Sequence, residues 1–360
     1  MRRGIVNLPL HYGKAPAWLF ERMTALAREM TRALVMEFSP EEVLRRLADP
    51  FWFQAFGCLL GFDWHSSGIT TTVCGALKQG LRGLEGETGI FVAGGKGKTS
   101  RQTPQEIEKH CDHLTIEPAP LIYASRMSAK VDSSALQDGY QLYHHLFVFT
   151  SKSEWCVIQQ GMNAATCYAR RYHWLSEGVV DFCCEPHAAI CCNARGQALN
   201  MVAEESQGAR DGVAALAREE PERVIAEANR IAELELPQRH HITPGDLNTR
   251  YLHKVLLKTY EQGPQTFEEV LGCAGVGPKT IRALSLMAEL IYGQGPSFRD
   301  PARFSFAHGG KDGHPYPVDR ETYDRTIDYL QKGLWAAKVG QSEKLKAMKR
   351  LNTFYASSQG

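Results

Sequence analysis

Apolar residues recur at Leu19, Met23, Leu26, Met30 and Leu34, the spacing of a helix with one buried face. Pro50–Gly61 (PFWFQAFGCLLG) is apolar on every side and predicts a fully buried helix. Thr70–Leu81 predicts a third helix and Ile107–His113 a polar one, with a short strand over Gly89–Val92 that runs into GGKGKTS. The period then changes. Leu142–Thr150 (LYHHLFVFT) and Glu154–Gln160 (EWCVIQQ) are aromatic and β-branched runs on either side of Ser151-Lys152-Ser153, which is a hairpin signal. Alternation along the first run puts His144 and Leu146 on one face, His145 and Phe147 on the other. Arg170–Leu175 and Val179–Cys184 read as further strands. From Ala203 to Leu236 the chain shifts to Ala, Glu and Arg with few large apolar residues, the composition of a solvated helical connector. Pro237–Asp246 (PQRHHITPGD) marks a boundary, and Leu247–Gln331 is again helical. The expected fold is α+β. A mixed N-terminal domain with a small antiparallel sheet spans 1–202, the connector 203–236, and an all-helical C-terminal domain 237–350.

The helical region contains one distinctive interruption, Leu271–Gly293 (LGCAGVGPKTIRALSLMAELIYG). Gly275 and Gly277 bracket Val276 in a turn that calls for positive φ or close backbone approach, both of which glycine permits. Pro278 suits the first turn of a new helix, where its missing N–H costs nothing. That helix is apolar at Ile281, Leu284, Met287, Leu290 and Ile291. Its N-terminal N–H groups, with Lys279 and Thr280 beside them, form an end that attracts phosphate. The segment resembles the helix-hairpin-helix module, which grips a nucleic-acid backbone without reading sequence. The resemblance implies phosphate contacts at Gly275, Gly277, Lys279 and Thr280. Downstream, Lys332, Lys338, Lys344, Lys346, Lys349 and Arg350 would lay a local basic face near the hairpin.

Charge changes this picture only slightly. The 360 residues carry 41 Lys and Arg against 40 Asp and Glu, so a nucleic-acid surface must be local rather than a global field. The ten cysteines are not spaced as a disulfide scaffold. No signal-peptide run or membrane-length apolar stretch is present. A cytoplasmic protein with reduced thiols and no membrane partner is the expectation.

Candidate chemistry concentrates in the N-terminal half. Asp63 and His65 (GFDWHSSG) lie two apart at an element end, where the carboxylate can orient a general base. Lys96 and Lys98 in GGKGKTS offer a basic loop for a substrate phosphate, without P-loop spacing. Ser125–His145 reads as a loop-to-strand passage dense in polar groups. In it, Asp132, Asp138 and His144 form a candidate oxygen–nitrogen site for Mg or Mn. Lys130 with a histidine is the alternative, acid–base cleavage without metal. Gln159 and Gln160 are side-by-side amides suited to orienting a partner, and ARRYHW (169–174) interleaves arginines with aromatics. One cysteine from each of Cys183-Cys184 and Cys191-Cys192, with His187, is a crowded zinc alternative.

A second site is also conceivable. The order of GVGPKT followed by HPYPVD is similar to the helix-hairpin-helix glycosylases, and it implies a nucleophilic Lys279 and a charge-stabilising Asp319. A long insertion, Gly295–Tyr316, separates the two. Over most of its length the chain resembles an uncharacterised bacterial and archaeal domain-of-unknown-function family, number 763. The segments carrying that resemblance include DPFWFQAFGCLLGFDWHSSGITT, VAGGKGKTS, SRMSAKVDSSALQDGYQLYHH, VIQQGMN and ARRYHW. The expected activity is phosphodiester cleavage of DNA or RNA by a metal-dependent nuclease, catalysed at Asp63, His65, Lys130, Asp132, Asp138 and His144. A glycosylase or a non-catalytic nucleic-acid-binding protein are the alternatives.

Overall fold

The computed structural model describes residues 15–62, 68–192, 195–233, 248–302 and 320–358. Asp63, His65 and Asp319 lie outside them. The chain opens with helices. α1 (Ala17–Glu37) buries Met23, Leu26, Met30 and Leu34, the stripe expected from their spacing. α2 (Pro40–Ala48) starts at Ser39, whose hydroxyl accepts from the Glu42 amide at 3.1 Å. Asp49 both ends α2 and caps α3 (Pro50–Leu60), accepting from the Phe51 amide at 2.8 Å. All of α3 from Phe51 to Leu60 is buried, and left-handed Gly61 stops it. α4 (Gly68–Leu81) crosses α1 closely enough that a Cβ at Gly80 would lie 2.8 Å from the Thr24 carbonyl oxygen. α5 (Glu85–Thr88) is a single turn leading into the sheet.

Five antiparallel strands follow, in the order β1-β3-β4-β5-β6: β1 (Ile90–Lys96), β3 (Gln141–Thr150), β4 (Trp155–Asn163), β5 (Tyr168–Leu175) and β6 (Ala189–Cys191). The hairpin turns at Lys152, so His145 pairs with Gln159 and Phe147 with Val157. Alternation sorts the two faces. Leu146, Val148, Cys156 and Ile158 join the core of α1–α4, whereas Phe147, Phe149, Val157 and Trp174 join a second helical layer. That layer holds α6 (Thr103–Cys111), α7 (Pro118–Lys130), α8 (Gln207–Arg218), α9 (Pro221–Ala232), α10 (Thr249–Gln262), α11 (Phe267–Gly272) and α12 (Pro278–Tyr292). A three-stranded sheet of β2 (Leu136–Gln137), β7 (Gln197–Asn200) and β8 (Ser297–Arg299) flanks it. The last helices, α13 (Arg320–Ala336) and α14 (Gln341–Ser358), return to the first layer. There Leu330, Leu334 and Leu351 share a core with Met30 and Leu34.

Four expectations are corrected. Ser125–His145 is not a loop, because α7 runs to Lys130 and a wider helical turn, Val131–Ala135, carries it to β2. Val179–Cys184 forms turns, not a strand, with the Asp181 carboxylate accepting from the Cys183 amide. The Ala-rich segment from 203 is not a solvated connector: α8 buries Ala209, Gly212, Val213, Leu216 and Ala217. Its small residues let it approach α12, and a Cβ at Gly212 would lie 2.8 Å from the Ala288 Cβ. The basic tail is partly consumed. Lys332 pairs with Asp328 and Lys346 with Glu343, while Arg350 turns inward to the Leu59 carbonyl.

Candidate active site

α7 carries Ser125 and Ser128, and the wider turn that follows it carries Asp132; at the i, i+3, i+7 spacing all three are buried against the sheet. Opposite them stand the cross-strand neighbours His145 and Gln159. Ser125 Oγ lies 2.9 Å from His145 Nε2, and His145 Nδ1 lies 2.9 Å from Gln159 Oε1. Gln159 uses its amide to donate to the Ser128 carbonyl and the Asp132 carboxylate. Because the Gln159 nitrogen is committed to two acceptors, its oxygen must face His145 and accept the Nδ1 proton. Nε2 is then left as the acceptor for the Ser125 hydroxyl. Burial pushes the His145 pKa down, against the opposing pull of Gln159 and Asp132, so the ring is neutral at neutral pH.

Asp132 closes the far end. Its carboxylate accepts from the Trp174 indole at 3.0 Å and from His187. Ser125, His145 and Gln159 line a cleft of about 270 Å³, together with Tyr143, Arg101 and Arg126. Both arginines are exposed, and neither makes an ion pair among the described residues. Lys96, also exposed, stands 5.8 Å above the ring of Tyr143 and so adds a third cation to the rim. A basic mouth over a hydroxyl–imidazole–amide chain has the parts of a nucleophile, its base and an orienting group.

The expected metal trio is not assembled. Asp132 is held by Gln159, Trp174 and His187; Asp138 is held by Arg170 at 2.9 Å and the Tyr172 hydroxyl at 2.7 Å. Arg170 bridges on to Asp300, a buried ion network that ties β5 to the β8 end. His144 points through the other face of β3, as its neighbour's alternation requires. Neither of its ring nitrogens has a partner among the described residues, and burial pushes its pKa down to about 3. Among the described residues, Asp181, Cys183 and Glu268 are the group whose ligand atoms converge within 4.8 Å. The zinc alternative is not assembled among the described residues either: His187 is engaged by Asp132, and Cys192 packs its thiol on the Tyr140 hydroxyl at 3.1 Å.

The glycine-rich loop also departs from a phosphate cradle. Gly94 has φ +89°, and a Cβ there would lie 2.3 Å from the His145 carbonyl oxygen, so close strand contact requires this glycine. Its amide already donates to Glu106 at 2.6 Å, and its carbonyl accepts from Lys78 at 2.7 Å. Lys98 is exposed beyond it. Lys130 does not reach the cleft. Its ammonium donates to the Val276 carbonyl, and burial lowers its pKa.

That contact belongs to the second feature, the turn between α11 and α12. Gly275 has φ +93°, as expected, whereas Gly277 is extended (φ −147°) and a Cβ on it would meet nothing within 4 Å. Three carbonyls of the segment are engaged by side chains from other elements. Gly275 accepts from the Tyr251 hydroxyl at 2.9 Å, Val276 from Lys130, and Pro278 from Gln137 at 2.8 Å. The N-cap, Gly277, supplies no side-chain acceptor to α12. The amides of Lys279 and Thr280 lie in the first turn, which has no intrahelical acceptors. Lys279 is exposed, and the buried Thr280 hydroxyl has no partner among the described residues.

The arrangement spans β1 to α12, and the comparison with known sequences covers the same stretch. A family profile described as a protein of unknown function, DUF763, matches residues 4–318. The chain belongs to the DUF763 family. Neither a curated protein nor a solved structure matches it. Both the cleft and the α11–α12 turn of this DUF763 chain fall within the matched residues, whereas α13 and α14 lie wholly beyond them. Sequence reasoning named Lys96, Lys130, Asp132 and Gln159 but gave Ser125, Arg101 and Arg126 no role. No helix among the described residues is long and apolar enough to cross a membrane.

Proposed function

We propose that this DUF763 protein is a nucleic-acid-processing enzyme that holds the phosphodiester backbone at the α11–α12 turn and cleaves it in the cleft beside α7. The observation that carries the reading is the turn itself. Its carbonyls are engaged by side chains, its helix start has no side-chain cap, and Lys279 stands exposed beside two amides without intrahelical acceptors. Such an end favours a phosphate oxygen through both hydrogen bonding and the helix dipole. The contact positions a backbone and carries no base specificity. The cleft supports the enzymatic half, with its three cations at the mouth and a hydroxyl inside.

Gly277 makes the reading testable. Any residue tolerates its backbone, and a Cβ there meets open space, so Gly277→Ala keeps the fold and costs at most about 1 kcal/mol through the weaker N-cap. The same methyl group obstructs a phosphate approaching the amides. Fluorescence anisotropy with labelled single- and double-stranded DNA and RNA should show binding that weakens steeply with salt. Gly277→Ala should weaken it about tenfold, the worth of one hydrogen bond to a charged group. Lys279→Gln should lower the slope of log affinity against log salt by about 1. Salt-independent binding, or variants that bind like the wild type, would overturn the assignment.

A further inference from the structure

We propose that Ser125 is a nucleophile that attacks phosphorus in a phosphodiester, with His145 as its general base and Gln159 as the residue that positions the imidazole. The diester class rests on the function proposed above; the nucleophile itself rests on the geometry alone. Ser125 sits inside the cleft with its hydroxyl on Nε2 of a neutral histidine, and that histidine's other nitrogen is fixed by an amide oxygen. A serine needs such a partner, because its hydroxyl is a weak nucleophile unless a base takes its proton. Gln159 cannot rotate without losing its bonds to the Ser128 carbonyl and to Asp132, so the tautomer that leaves Nε2 basic is enforced. Lys96, Arg101 and Arg126 place positive charge where an anionic ester enters and where charge grows on the phosphoryl oxygens.

The chemistry balances with water as the only co-reactant. Ser125 Oγ forms a bond to phosphorus while the bond from phosphorus to the bridging oxygen breaks. The hydroxyl proton passes to His145 Nε2 and from there to the leaving oxygen. Water then attacks the phosphoserine and gives a proton to Nε2; the Oγ–P bond breaks, and Ser125 recovers the proton. One diester and one water yield one monoester and one alcohol.

The test uses the full chain with bis(p-nitrophenyl) phosphate in the presence of EDTA, followed by acid quenching and peptide mass spectrometry. A fluorophosphonate probe is run in parallel. The expected result is nitrophenol release, together with a phosphoryl or phosphonyl adduct on Ser125. Both should be lost in Ser125→Ala, with release falling at least about a thousandfold. Ser125→Cys, which keeps a nucleophile at the same place, should still form an adduct. Gln159→Leu removes the acceptor that raises the His145 pKa, so kcat should fall with KM unchanged and the acid limb of the pH profile should move lower. A folded wild type that forms no adduct and releases no nitrophenol would overturn the proposal, as would full activity in Ser125→Ala. An adduct on Ser125 without oligonucleotide binding would instead refute the backbone grip and leave the nucleophile standing. Binding without an adduct would do the reverse.

Discussion

Burial sets the charge state of three imidazoles. His144, His145 and His173 are all pushed below the ordinary histidine value of 6.5, in each case chiefly by loss of water. The unfolded chain therefore binds protons that the folded chain refuses as pH falls below about 6.5. Their contribution to stability is full above that value and is lost progressively toward about 3, the folded value for His144. Urea unfolding midpoints should accordingly fall between pH 7.5 and pH 5. Substituting His144 by Phe should flatten that decline, because it removes one of the titrating rings and, among the described residues, no hydrogen bond. An unchanged slope in that variant would place the proton uptake elsewhere.

Helix α8 shows how composition misleads at the scale of an element. Its lack of large apolar residues reads as solvation, yet it reports close approach to α12. Gly212→Ala should therefore destabilise the protein by roughly 1–3 kcal/mol through overpacking, although alanine is the better helix former. Equilibrium unfolding decides it, and a stabilised variant would mean that α8 and α12 part easily. Much else in the elements was legible beforehand. The α1 stripe, the all-apolar α3 and the β3–β4 hairpin follow from residue spacing alone, because one buried face or two leaves a direct imprint. The faces of His144 and His145 were legible for the same reason. Even the His145–Gln159 pair could have been found, since both lie seven residues from Lys152. What hid the site was the reading of Ser125–His145 as a loop-to-strand passage, which concealed that α7 and the turn after it bring Ser125, Ser128 and Asp132 to the sheet together. The metal trio failed for a related reason: density of titratable residues says nothing about which of them arginines, amides and indoles already occupy.

For the molecule as a whole, the packing does not follow the divisions expected at 202 and 236. One core runs from Phe91 to Ala288, and α13 and α14 fold back on α1 and α3. The family match stops at 318, but Leu330, Leu334 and Leu351 beyond it are fully buried in the first helical layer. A chain ending at 318 should lose those contacts, expose the α1 and α3 surfaces they cover, and melt well below the full chain in a thermal scan. Equal melting temperatures would show α13 and α14 to be dispensable.

The two functional features also share one rigid part. α7 carries Ser125 into the cleft and, five residues later, Lys130 to the carbonyl of Val276. Five residues of helix span about 7.5 Å along the axis. If the proposed function holds, a strand held at the turn would meet the hydroxyl at a separation set by a helical rod rather than by a loop. The protein would act as a ruler: whatever the base sequence, the cut would fall at a constant offset from the gripped phosphate. A one-turn change in α7 would move every product end by the same step.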